Sequence, residues 1–205
     1  MFGSLSPGFT DFPLAFSKYK PLKTRYSKGK IENYLARKYN LTAEDRPVYR
    51  LYLRLVKEIY SIPRTKNNFG LTHFDLHTSN YHVYKNQITF FDFADIQCTY
   101  YTWDVAKVFF SNIPFSLNNQ KDVYLFRAKV SNFLEGFSAH KRVSKIDIER
   151  IKFFARIIEI RMYLALKENA EKLNDGKNWW VKNFMQNRRE YILDNEVVKK
   201  LMNGI

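Results

Sequence analysis

Leu71-Thr72-His73-Phe74-Asp75-Leu76-His77-Thr78-Ser79-Asn80, followed some way on by Phe91-Asp92-Phe93, is the segment around which the rest of the chain makes sense. An Asp, an Asn five residues later and a second Asp twelve residues after that interrupt an otherwise aromatic and β-branched run. The polar groups fall at the ends of apolar segments, where a scaffold presents chemistry rather than burying it. Between the two halves, Tyr81 to Tyr84 reads as one strand, Lys85-Asn86 as a tight turn and Gln87 to Phe91 as the return strand.

Three chemistries suit these residue types. In a phosphoryl-transfer set, Asp75 is a general base and Asn80 and Asp92 are oxygen ligands to Mg²⁺, the hard cation that bridges phosphates. In a transition-metal site, His73, Asp75 and His77 are the ligands, since three of the four histidines (73, 77 and 82) fall within ten residues. In a plain loop, Asp75 and Asn80 only satisfy nearby backbone groups.

The string taken whole favours the first. His-x-Asp-Leu-x-x-x-Asn, a short hairpin and an apolar strand ending in Asp-Phe match the catalytic-loop pattern of protein kinases and their relatives. No Ala-Pro-Glu follows, and Tyr101-Thr102-Trp103-Asp104-Val105-Ala106 comes almost at once. In this the chain resembles the aminoglycoside phosphotransferase and choline kinase family, with its series HxDxxxxN, then DF, then D(I/V)A. The resemblance implies a mainly α fold: a protein-kinase-like C-terminal lobe with a small β-hairpin beside the catalytic loop. It implies an ATP-dependent phosphotransferase acting on a small-molecule hydroxyl, with ATP and Mg²⁺ as cofactors. Position by position, it makes Asp75 the catalytic Asp and His73 the brace of the catalytic loop. Asn80 and Asp92 become the metal ligands, and Asp104 a buried support for that loop. His77 fills the slot where protein kinases place a Lys, so it is expected near the phosphates. Close relatives often read Asp-Phe-Asp-Asp where this chain has Asp92-Phe93-Ala94-Asp95, a departure at Ala94.

Composition fits this reading. The 205 residues suffice for one domain with a sizeable core, and 45% hydrophobic and 17% aromatic residues describe a globular chain. Cys98 is the single cysteine, which excludes an internal disulfide framework and fits a reducing compartment. With no signal-peptide pattern and no apolar run of membrane-spanning length, the expectation is a soluble cytoplasmic protein with no membrane partner. The net charge of +14 is large, but its Lys and Arg are scattered, with no block and no nucleic-acid motif. It reads as a solvated basic surface, and no specific nucleic acid is expected.

Outward from the motif, residues 1–27 read as an aromatic-studded leader resembling the linker between kinase lobes, and residues 28–205 as the helical C-terminal lobe. Helices are expected over Ile31 to Tyr39, from Pro47 to before Pro63, over about 102–111, along the Val123 to Phe137 stripe, from the Ser144 cap to about Asn169, and from Trp179 to about Tyr191. The sequence holds no Gly-x-Gly-x-x-Gly and no strand-borne Lys ahead of the motif. The resemblance therefore covers the C-terminal lobe only, and the expected partners include a missing or separate N-terminal lobe. The alternative is a non-catalytic binding or regulatory module that keeps this lobe without turnover.

Overall fold

Pro47 sits in the first turn of α1 (Arg46–Ile59), where a missing N–H costs nothing. Val48, Leu51, Tyr52, Leu55, Val56 and Ile59 then recur at helical spacing, and all are buried. The structure is a computed structural model, and it describes residues 41–114, 117–169, 173 and 179–203. The expected leader over residues 1–27 and the expected helix at Ile31 to Tyr39 lie outside the described residues.

Past α1 come four short strands, β1 (Phe69–Thr72), β2 (Tyr81–Tyr84), β3 (Gln87–Phe90) and β4 (Gln97–Tyr100). β2 and β3 form the expected hairpin, with Tyr81 opposite Phe90 and Tyr84 opposite Gln87. Lys85 and Asn86 both have positive φ, 45° and 62°, as the favoured two-residue hairpin turn requires. β1 and β4 pair antiparallel, Phe69 opposite Tyr100 and Thr72 opposite Gln97. Neither strand is among the elements the sequence predicts. Each strand is only four residues long, too short for alternation to stand out.

The helices α2 (Tyr101–Phe110), α3 (Gln120–Ser138) and α4 (Lys145–Glu168) lie where the periodicity places them. Ser144 opens α4 with a reciprocal cap: its hydroxyl accepts from the Asp147 N–H at 3.1 Å, and the Asp147 carboxylate accepts from the Ser144 N–H at 3.0 Å. α4 is buried around most of its girth, from Ile151 and Phe154 to Leu164 and Leu166, and packs against both α1 and α2. Each such side chain contributes about 1.5–3 kcal/mol by leaving water, which makes this helix the axis of the core.

The single helix expected from Trp179 to about Tyr191 is instead two, α5 (Trp179–Met185) and α6 (Arg188–Asp194), and a further helix, α7 (Glu196–Leu201), follows. Asn187 separates the first two and Asn195 the last two, at φ 55° and 57°. Asn enters the left-handed region more readily than most residues with a Cβ. Phe184 is buried here, whereas Trp179 is exposed.

Two buried charges tie the outer helices to α4. Arg188 donates to Glu159 at 2.9 Å and to the Phe184 carbonyl at 3.0 Å, with both charged side chains out of solvent. Burial pushes the Glu159 carboxyl up, against the pull of the guanidinium. At the start of α1, buried Asp45 accepts from the Tyr163 hydroxyl and from the Thr42 N–H at 3.0 Å, and pairs with Lys167 at 3.1 Å. Burial raises the Asp45 carboxyl, but these donors outweigh it and hold the group below its ordinary range.

Candidate active site

β1 delivers the chain into a sharp turn at Phe74, whose φ is 69°. A bulky residue in the left-handed region is held there only when its surroundings over-determine it. They do so here. The His73 N–H donates to Asp104 Oδ2 at 2.9 Å, the Phe74 N–H to Asp104 Oδ1 at 2.8 Å, and the Trp103 indole to the Phe74 carbonyl at 2.9 Å. Asp104 and Trp103 both lie in the first turns of α2. The Phe74 ring stacks on Trp103, centroids 4.7 Å apart and 3° from parallel, and the Arg161 guanidinium of α4 lies 5.3 Å and 5.5 Å from the two rings. Burial pushes the Asp104 carboxyl up, partly offset by the two backbone donors.

His73 closes the other side of the loop. Its Nε2 donates to the Phe91 carbonyl at 2.9 Å, joining the start of the loop to the end of the hairpin. Its ring lies 4.8 Å from that of Phe93, and its buried Nδ1 has no partner among the described residues.

Asp75 is the first residue past the turn, and its side chain is 34% exposed. Lys107 Nζ of α2 lies 2.8 Å from Oδ1, and His77 Nε2 lies 3.4 Å from Oδ2. His77 Nδ1 accepts the Ser79 N–H at 3.2 Å, so the ring proton sits on Nε2, toward the carboxylate. Burial raises the Asp75 carboxyl, but the His77 hydrogen bond and the Lys107 charge override it and hold the group well below the usual carboxylate range. Asp75 is an anion at any physiological pH.

Asn80 is buried, and its Nδ2 donates to the Asp75 carbonyl at 3.0 Å. That commits the amide nitrogen and leaves the oxygen for a ligand. The Phe91 N–H donates to the Asn80 carbonyl at 3.1 Å, which sets Asp92 next in line after the residue bound to Asn80. Asp92 is exposed and left-handed, at φ 62°, and opens a single 3-10 turn over Phe93–Asp95. Neutral and anionic oxygens from Asn80 and Asp92 suit a hard divalent cation. Asp95 adds a third carboxylate, raised by burial and by the charges of Asp75 and Asp92, with Arg161 and Lys107 offsetting.

This arrangement has counterparts among known proteins. No family model matches the chain. Over 115 residues it is 25% identical to amicoumacin kinase of Bacillus subtilis (strain 168), an alignment covering 56% of this chain and 34% of that protein. Its structure matches that of amicoumacin kinase hAmiN, solved with AMP-PNP, Ca²⁺ and Ami, at a TM-score of 0.63 and 19% identity, covering 88% of this chain and 54% of the other. The chain shares the fold of that kinase over the aligned part. The chain spans about a third of the curated relative's length and about half of the solved chain's.

Within that kinase fold, the structure brings His73, Asp75, His77 and Asn80 together in one loop braced by Asp104, with Asp92 at the end of the adjoining hairpin. The transition-metal alternative is not assembled. His73 Nε2 is spent on the Phe91 carbonyl, and no three His, Cys, Asp or Glu side chains among the described residues gather closely enough to hold a metal ion. Sequence reasoning missed Lys107 and Arg161. Lys107 follows Asp104 by three, on the same helix face, a spacing that could have flagged it. Arg161 carried no such signal. Among the described residues, no helix is long and apolar enough to cross a membrane.

Proposed function

We propose that this chain carries the acceptor- and metal-binding half of an ATP-dependent small-molecule kinase, in which the γ-phosphate of ATP passes to a substrate hydroxyl. The observation that carries the reading is Asp75: a partly exposed, firmly ionised carboxylate at the end of a loop braced by Asp104, Trp103 and His73. A group so placed can orient an attacking hydroxyl and accept its proton. Asn80 and Asp92 would hold Mg²⁺, which when bound supplies charge neutralisation to the phosphates. The relative that shares part of the sequence and the solved protein that shares the fold are both named as kinases, and the latter was solved with a nucleotide analogue and a divalent cation. The sequence contains no glycine-rich phosphate loop. In this reading, adenine and the α- and β-phosphates are therefore held by a small lobe, joined to this chain or supplied by a partner.

The test measures ATP consumption over a panel of small alcohols, by the 205-residue chain alone and by the chain combined with a kinase small lobe. Turnover is expected in the completed form, lost in Asp75→Ala, with little from the chain alone. Asp92→Ala should abolish Mg²⁺-dependent binding of nucleotide and leave the fold intact. A completed form whose ATP consumption is indifferent to Asp75→Ala would sink the proposal.

A further inference from the structure

Lys107 is absent from every motif in the sequence, yet among the described residues its ammonium is the cation nearest the proposed base, 2.8 Å from Asp75 Oδ1. It rises from α2 one turn past Asp104, so a single helix holds the backbone of the loop with one residue and the carboxylate with the next on that face. Its side chain is 15% exposed and that of Asp75 34%, so neither member of the pair is sealed from solvent.

A carboxylate beside a polyphosphate repels it, and a phosphoryl group in transfer spreads negative charge over its three outer oxygens. The attacking hydroxyl must lie about 2.6–3.2 Å from the Asp75 carboxylate. Phosphorus must lie about 3–3.5 Å beyond that oxygen. A lysine ammonium has three donors on a flexible stem, and among the described residues this one pairs with Asp75. His77, in the slot where protein kinases place a lysine, is the looser partner at 3.4 Å.

Resting on the kinase reading above, we propose that Lys107 is a catalytic residue that bridges Asp75 Oδ1 and the γ-phosphoryl oxygens of bound ATP. The hydroxyl docks on Oδ2. Its oxygen bonds to the γ-phosphorus while the bond from that phosphorus to the bridging oxygen breaks. The bond pair leaves with ADP, and the hydroxyl proton passes to Asp75.

The test is an NMR titration of the chain with ATP·Mg²⁺ and with ADP·Mg²⁺ up to millimolar concentrations, read at the amides of residues 73–80 and 92. The two nucleotides differ only in the γ-phosphate, so the change in their affinity ratio on substituting Lys107 reads its contact with that group. Wild type should favour ATP by about tenfold, one charge-assisted contact. Lys107→Met and Lys107→Gln should lose that preference with ADP affinity unchanged, and Lys107→Arg should retain most of it. If both neutral variants keep the ATP preference, Lys107 is only a structural partner of Asp75 and the inference falls while the kinase reading stands. If wild type binds neither nucleotide even when combined with a kinase small lobe, both fall together.

Discussion

Phe74 sits in a backbone conformation that its own side chain opposes, and the two effects can be separated by substitution. The left-handed region costs a residue with a Cβ about 1–2 kcal/mol. Against this, the ring is 9% exposed, lies flat on Trp103 at 4.7 Å and sits under the Arg161 guanidinium. Removing a buried Phe side chain costs about 3–5 kcal/mol, so packing wins and Phe is tolerated. Phe74→Ala discards the packing and keeps the strain. Phe74→Gly discards the packing and the strain together. At an ordinary position Ala is more stable than Gly by about 0.5–1 kcal/mol; at positive φ the order reverses. Both variants should therefore unfold below wild type, with Gly above Ala by roughly 0.5–1 kcal/mol. At this chain length that amounts to a few degrees in melting temperature at most, since each kcal/mol shifts it by about 2–4 °C. Urea unfolding at equal m-values gives the cleaner comparison. An Ala variant as stable as the Gly variant, or more so, would refute the account of the turn and of how Asp75 is aimed.

Asp104→Ala leaves the His73 and Phe74 N–H groups without acceptors, at about 1–3 kcal/mol each, so a loss of about 2–6 kcal/mol is expected. Asp104→Asn, which keeps one acceptor, should fall between it and wild type. A melting temperature for Asp104→Ala within a degree of wild type would mean that the two bonds hold nothing. Asp45 gives a pH prediction. Its folded-state pKa lies below the ordinary carboxylate value of 3.8, so its stabilisation is present above that pH and drains as pH falls through the lowered value. Asp45→Asn should be less stable at pH 7 and show a shallower loss of stability on acidification than wild type; parallel pH profiles for the two proteins would contradict it.

What the sequence makes legible here is whatever is local. Lys85-Asn86 between two β-branched runs specifies the hairpin turn, because both residues need positive φ and Asn enters that region readily. Ser144 and Asp147 specify the start of α4, because each caps the other across one turn. The left-handed turn at Phe74 has no such signature. Glycine or asparagine would announce it, but here the conformation is imposed by Asp104 and Trp103, about thirty residues further along the chain. The same gap hides the pairing of β1 with β4, four-residue strands with little alternation to read.

Lys107 follows from that turn. Its spacing from Asp104 puts both residues on one face of α2, which is visible in the sequence. That Asp75 lies over this face is not visible, because the direction of Asp75 is set by the turn one residue before it. Once Asp104 grips the backbone of 73 and 74, the residue one helical turn further along must lie beside 75. A cation there is placed to act on the base. A neutral residue in its place would leave Asp75 with only the longer His77 contact, and the carboxylate would drift up toward its ordinary pKa. A residue that helps hold the proposed base ionised, after His77, therefore belongs to the helix that fixes its position, outside the loop that names the motif.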